Sequence, residues 1–175
     1  TIHKYEYNPA STTTAQQGTG AEGEAAPTDA KPLGGVTFEI YQVQSQTWLE
    51  SYYGGQVTAS SQDFSKMDAS DYYTKNSTTG AITVNSGATK VATVTTTTTE
   101  TDKGVAKKDG LALGLYLVVE TSAPDKVTSP VAPFLVSVPM TRIADTTTTN
   151  KLTDWIYDVH VYPKNSTAYG QITIE

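Results

Sequence analysis

The chain has 175 residues, 37 % of them hydrophobic, no cysteine and a formal net charge of −6. That length suits one domain with a real core, or one domain carrying a large insertion. The acidic balance argues against a nucleic-acid partner, which needs clustered Lys and Arg; no stretch nears the ~20 apolar residues of a membrane helix, and no signal peptide is visible.

Thr1–Tyr7 predicts a short strand. Alternation puts Ile2, Lys4 and Glu6 on one face and His3, Tyr5 and Tyr7 on the other. Asn8-Pro9 ends it. Residues 10–31 are Ala, Ser, Thr, Gly, Gln and Glu with almost no large apolar group, the composition of a flexible loop. Pro32–Gly35 predicts a turn and Val36–Val43 a strand whose core face is Val36, Phe38 and Ile40. Residues 44–80 carry Trp48, Tyr52, Tyr53, Phe64, Tyr72 and Tyr73 and read as an insertion. Within it Asp63–Lys75 has room for a short helix capped by Asp63 or Ser65.

Gly80–Val84 and Lys90–Thr97 predict strands, and Thr101–Gly110 a charged turn region. Leu111–Thr121 is the strongest apolar run; its half Leu115–Glu120 predicts a buried strand ended by Ser122-Ala123-Pro124-Asp125. Pro133–Met140 is another strand and Thr141–Asp154 a polar connection. Trp155–Tyr162 alternates β-branched and aromatic residues, so it predicts a strand that Pro163 ends or holds at an edge. The chain opens and closes mid-strand, at Thr1-Ile2-His3 and Ile172–Glu175, as an excised piece of a longer protein would. Roughly seven to nine short strands with turns between them make an all-β, Ig-like antiparallel β-sandwich.

Four segments, in order, resemble the N-terminal domain of Gram-positive sortase-assembled shaft pilins. They are Ile2-His3-Lys4-Tyr5; Pro32-Leu33-Gly34-Gly35-Val36-Thr37-Phe38-Glu39-Ile40-Tyr41; Gly114 to Pro124, similar to the E-box YxLxETxAP; and Trp155-x3-Val159-x-Val161-Tyr162-Pro163-Lys164, which matches the pilin motif WxxxVxVYPK. The E-box recurs in many stalk domains, whereas the pilin motif is long and specific. The LPxTG-type sorting signal and its hydrophobic tail are absent, so the resemblance covers one domain of a multidomain subunit. It implies a CnaB-like pilin domain over residues 1–168, with 169–175 as linker or the start of the next domain.

The resemblance implies a structural role, not an enzyme with turnover. Other copies of the pilin, a class C sortase and accessory pilins are the implied partners, with the host surface beyond them. The setting is extracellular, in a pilus anchored to the cell wall. In that family the motif lysine, here Lys164, attacks a sortase-bound Thr carbonyl and joins subunits by an isopeptide bond. Its amine must be exposed and partly deprotonated. Lys126 and Lys151 are the next candidates for that acceptor.

A first-strand lysine, here Lys4, condenses in related domains with a last-strand asparagine, here Asn165, assisted by an acid, here Glu120. Alternation offers a separate check. Residues 155, 157, 159, 161 and 165 share a parity, so Asn165 faces inward and Lys164 outward. Lys4 shares a face with Ile2, and Glu120 with Tyr116 and Val118. Burial disfavours charge on both an amine and a carboxyl. The plainer alternative is a Lys4–Glu120 ion pair. Such a bond would also serve as the staple that a cysteine-free extracellular chain lacks.

Asn76-Ser77-Thr78 and Asn165-Ser166-Thr167 are sequons without meaning in a bacterial chain. His3 and His160 each stand alone on an alternating strand, so no metal site and no cofactor is expected. The rival function is the stalk domain of a tip pilin or adhesin that binds a host ligand, which would not need the complete pilin motif.

Overall fold

A computed structural model describes residues 1–7, 22–24, 26, 30–58, 67–141 and 155–167. Lys151, most of the 10–31 and 141–154 connections, the helix caps proposed at Asp63 and Ser65, and the strand expected at 172–175 lie outside them. The strands are β1 (Ile2–His3), β2 (Tyr5–Tyr7), β3 (Lys31–Pro32), β4 (Thr37–Ser45), β5 (Tyr73–Lys75), β6 (Ile82–Val84), β7 (Thr89–Thr95), β8 (Val105–Ala106), β9 (Gly114–Ser122), β10 (Phe134–Val138), β11 (Met140–Thr141), β12 (Trp155–Ile156) and β13 (Lys164–Ser166).

The main sheet has the order β10-β9-β4-β7, antiparallel throughout. Its centre is β9, buried from Gly114 to Glu120 on both faces, as a near-continuous apolar run requires. The inner face carries Phe38, Ile40, Tyr116 and Val118 against Ile2, Leu33, Ala106 and Val159. These come from the second layer, where β13-β2-β3 form a small sheet and β1 pairs β8.

The helix lies elsewhere than expected. It is α1 (Gln46–Thr58), and only a single 3-10 turn, Ala69–Asp71, occurs in the described part of 63–75. Ser45 Oγ accepts from the Trp48 N–H at 3.3 Å, an N-cap at the end of β4. Leu49 and Tyr53, one turn apart, are buried and pack together with Trp48, Tyr52 and Met67. The Tyr53 hydroxyl reaches Ser137 Oγ of β10 at 3.0 Å, which ties α1 to the main sheet.

The opening strand is two strands. At Lys4 the chain changes partners: the Lys4 N–H donates to Gly104 O and its carbonyl accepts from Leu33 N. β1 therefore pairs β8, which arises inside the expected turn region 101–110, while β2 pairs β13 and β3. Trp155–Tyr162 is likewise not one strand. Only Trp155–Ile156 pairs with β11; a bend at Tyr157-Asp158 follows, and Val161 then bridges Ile2 in parallel. This change of partner resets the alternation. Tyr157, expected inward, is 64 % exposed and Trp155 39 %, whereas His160 is buried.

Pro163 does not end the pairing. It lacks an N–H, but its carbonyl accepts from Tyr5 N at 3.1 Å, and β13 continues in parallel beside β2. The last described strand, β13, thus closes the fold by parallel pairing with β2.

Candidate functional site

Three polar side chains meet between the layers. Lys4 and Asn165 are 1 % exposed and Glu120 7 %. Lys4 Nζ donates to Glu120 Oε2 at 2.9 Å and to Asn165 Oδ1 at 2.7 Å, and Asn165 Nδ2 donates to Glu120 Oε1 at 2.7 Å. The triangle is closed: each group touches both others. Lys4 arrives from the β1–β2 junction, Asn165 from β13 and Glu120 from β9, so three separate parts of the topology meet here.

Backbone detail sets this geometry. Gly104 has φ +80°, and a Cβ there would sit 2.6 Å from Lys4 O. Only glycine combines that conformation with so close an approach. The Phe38 ring lies 5.5 Å from Lys4 Nζ and supplies an apolar wall. Burial lowers the Lys4 pKa, and hydrogen bonding and charge from Glu120 partly restore it, while the Lys164 charge lowers it further. The Val131 N–H also donates to Glu120 Oε2 at 3.3 Å.

Lys164, expected to point outward, is half-buried. Its Nζ donates to the carbonyl of Tyr162 at 3.0 Å. Burial lowers its pKa, partly offset by the Glu24 carboxylate. Of the segment 10–31, Glu22–Glu24 make a turn whose Glu24 N–H donates to Tyr162 Oη at 3.3 Å. Val159 and Val161 of the motif pack into the core.

Two groupings escaped the sequence reading. His3 and His160 are not isolated: His3 Nε2 and His160 Nδ1 are 2.8 Å apart, and the His3 ring stacks on Tyr162 with centroids 4.7 Å apart. His160 Nε2 lies 3.3 Å from Asp158 Oδ1. Among the described residues no three His, Cys, Asp or Glu side chains gather as a metal site would need. The second grouping is Glu6 with Lys126, whose Nζ is 2.6 Å from Glu6 Oε2. The signal for it was on view: Glu6 shares the inward face of Lys4, and a buried carboxylate demands a counter-charge.

The comparisons with known proteins agree with this architecture. The chain is 35 % identical over 167 residues to the fimbrial subunit type 1 of Actinomyces viscosus, covering 95 % of this chain and 26 % of that protein. It is 39 % identical over 77 residues to the fimbrial subunit type 2 of Actinomyces naeslundii, covering 43 % of this chain and 14 % of that protein. The chain therefore spans about a quarter or less of these relatives.

Among solved structures, the full-length major pilin SpaD of Corynebacterium diphtheriae matches with TM-score 0.51 and 26 % identity, over 95 % of this chain and 31 % of that one. The major pilin SpaA of the same organism, described as pointing to a modular pilus assembly stabilizing isopeptide bonds, matches with TM-score 0.53 and 26 % identity, over 95 % and 30 %. The fold is the Ig-like sandwich of these pilin domains. The family model for the Gram-positive pilin subunit D1, N-terminal domain, matches residues 1–166, and the chain belongs to that family.

Proposed function

We propose that this domain is the N-terminal part of a structural subunit of a covalent cell-surface pilus, spanning 1–168 with 169–175 leading onward. Lys164 accepts the sorting-signal Thr carbonyl of another copy from a class C sortase. Lys4 and Asn165, assisted by Glu120, form an internal isopeptide bond that clamps the domain. Accessory pilins and the cell wall complete the assembly.

The observation that carries the clamp is the closed Lys4–Glu120–Asn165 triangle with contacts of 2.7–2.9 Å. A Lys4 proton passes to Glu120 Oε2, leaving a neutral amine, the state that burial favours. That nitrogen attacks the Asn165 side-chain carbonyl carbon. Glu120, already within reach of Asn165 Nδ2, returns the proton to the departing nitrogen. The attacking nitrogen gives up a second proton to the departing group by the same carboxylate. One C–N bond forms, one breaks, and the nitrogen leaves with both protons as ammonium, so the Glu120 carboxylate ends as it began. Near-complete burial keeps water from competing for the carbonyl carbon. The polypeptide performs this once and does not turn over.

For Lys164 the support is the complete motif together with an amine whose pKa burial lowers. A neutral amine is what attack on the sortase-bound Thr carbonyl requires. The stalk domain of a tip pilin or adhesin would keep the triangle but has no need of the WxxxVxVYPK motif. Intact mass tests the clamp: the folded domain should weigh one ammonia less than its sequence, and a full sequence mass in folded protein would sink it.

A further inference from the structure

Glu6 is a second buried carboxylate. It lies two residues beyond Lys4 on the same inward face and opposite Asn165 in the parallel register. Among the described residues no hydrogen-bond donor is aligned on its Oε2; its counter-charge is Lys126, 2.6 Å away. A buried carboxylate without such a partner is costly.

Lys126 lies in the segment 123–133 between β9 and β10, which begins three residues after Glu120. That segment is fastened around the triangle at three points. Val127 bridges Thr167, two residues past Asn165. The Val131 N–H donates to Glu120 Oε2, the same oxygen that receives Lys4. Lys126 reaches Glu6. The side chains of Val127 and Val131 also pack against the core of Ile2, Val36 and Phe38.

We propose that Lys126 is a positioning residue for the internal cross-link: by pairing with Glu6 it holds segment 123–133 so that Glu120 stays aimed at Lys4 and Asn165, and it cancels a buried carboxylate two residues along the same face from Lys4. The inference rests on the cross-linking reading above. Lys126 touches none of the reacting atoms and leaves the bond changes as written there.

Its electrostatic part follows from what faces Lys4. Glu120 approaches from β9, the Asn165 amide from β13 and the Phe38 ring from β4; the Lys164 charge acts on it from the same end of the domain; Glu6 stands on its own strand. With Lys126 in place, Glu6 and Lys126 cancel. Without it, the Glu6 carboxylate favours the ammonium form of Lys4, and the neutral nucleophile forms only at higher pH.

The test compares the wild-type domain with Lys126→Met, Lys126→Arg and the double variant Glu6→Gln/Lys126→Met. Each is checked for folding by circular dichroism and followed by intact mass from purification onward over a range of pH. Expected are a wild type one ammonia light, and a folded Lys126→Met that loses ammonia at least ~10-fold more slowly, with its rate rising at higher pH. Lys126→Arg should convert like wild type. The double variant should recover the wild-type pH profile, because cation and carboxylate are removed together, while staying slower than wild type, because the tether on segment 123–133 is gone. A Lys126→Met domain that converts as fast as wild type overturns the proposal, as does a slow one rescued by neither Lys126→Arg nor Glu6→Gln. A wild type of full mass overturns the cross-link itself, and the wild-type arm alone identifies that outcome.

Discussion

Lys4 Nζ lies 2.7 Å from Asn165 Oδ1 across a sequence separation of 161 residues. Whatever joins these two groups closes almost the whole domain into one loop. On the chain-entropy view applied to disulfides, a covalent bond there is worth roughly 4–5 kcal/mol. It would also carry tension from one end of the domain to the other without loading the strand pairing.

Glu120→Ala removes the group that contacts both partners. The variant should retain its full sequence mass. Its unfolding free energy should fall by at least the roughly 4–5 kcal/mol of the lost closure, because it also leaves the buried Lys4 without its carboxylate. Intact mass and chemical denaturation read the two effects separately. A variant that still loses ammonia would remove Glu120 from the chemistry.

Lys164→Ala in the full-length subunit should leave the monomer folded and abolish polymer ladders on cells. Among the described residues the amine's hydrogen bond is to the carbonyl of Tyr162, two positions back, so little packing is lost. Ladders that persist would mean that another lysine is the acceptor. Lys126 is poorly suited, since its amine is engaged by Glu6. The lowered Lys164 pKa further predicts that acceptor activity rises at lower pH than for a free lysine peptide, measurable with purified sortase.

The His3–His160 contact should make the junction between β1 and the pilin-motif segment sensitive to acid. Burial lowers the His3 pKa, and the charges on His160 and the Thr1 amine lower it further against a smaller opposing effect of Glu22. The fold therefore prefers neutral His3. That contribution is present above the unfolded value near 6.5 and is lost as pH falls through the lower folded value. A hydrogen bond between two imidazoles also needs one of them neutral. Thermal midpoints of the wild type should fall on acidification through this range, and His3→Gln should flatten the slope. Equal slopes in both proteins would rule His3 out as the responsible group.

Strand alternation made much of this site legible. Ile2, Lys4 and Glu6 all face inward, as period two requires, and Glu120 lies on the inner face with Tyr116 and Val118. Asn165 is inward as well, but the counting from Trp155 that anticipated it does not describe the path between them, because the bend at Tyr157-Asp158 intervenes. Pairing partners were the illegible part. Nothing in residues 1–7 announces that Lys4 is where β1 gives way to β2, since that depends on Gly104 and Leu33, far along the chain. The helix was misplaced for a related reason. Ser45 caps it only because β4 runs to that residue, and its apolar stripe is short, Leu49 and Tyr53.

Gly104 is where that long-range dependence can be tested. Its φ of +80° lies in the left-handed region, which costs a residue with a Cβ roughly 1–2 kcal/mol. The added carbon would also stand 2.6 Å from Lys4 O and 2.9 Å from Leu33 N, both backbone atoms that cannot swing aside. Gly104 O in turn accepts the Lys4 N–H at 2.8 Å, so relief of the clash must displace Lys4 itself. Gly104→Ala should lower the unfolding free energy by more than the conformational cost alone. It should also slow or block the ammonia loss, because the amine is carried away from Asn165. Gly87→Ala is the control: φ is +100° there but no atom lies within 4 Å of the added Cβ, so it should cost stability and leave the mass change intact. A Gly104→Ala domain that loses ammonia as readily as the Gly87→Ala control would show that the backbone contact at Lys4 does not govern the approach of its amine.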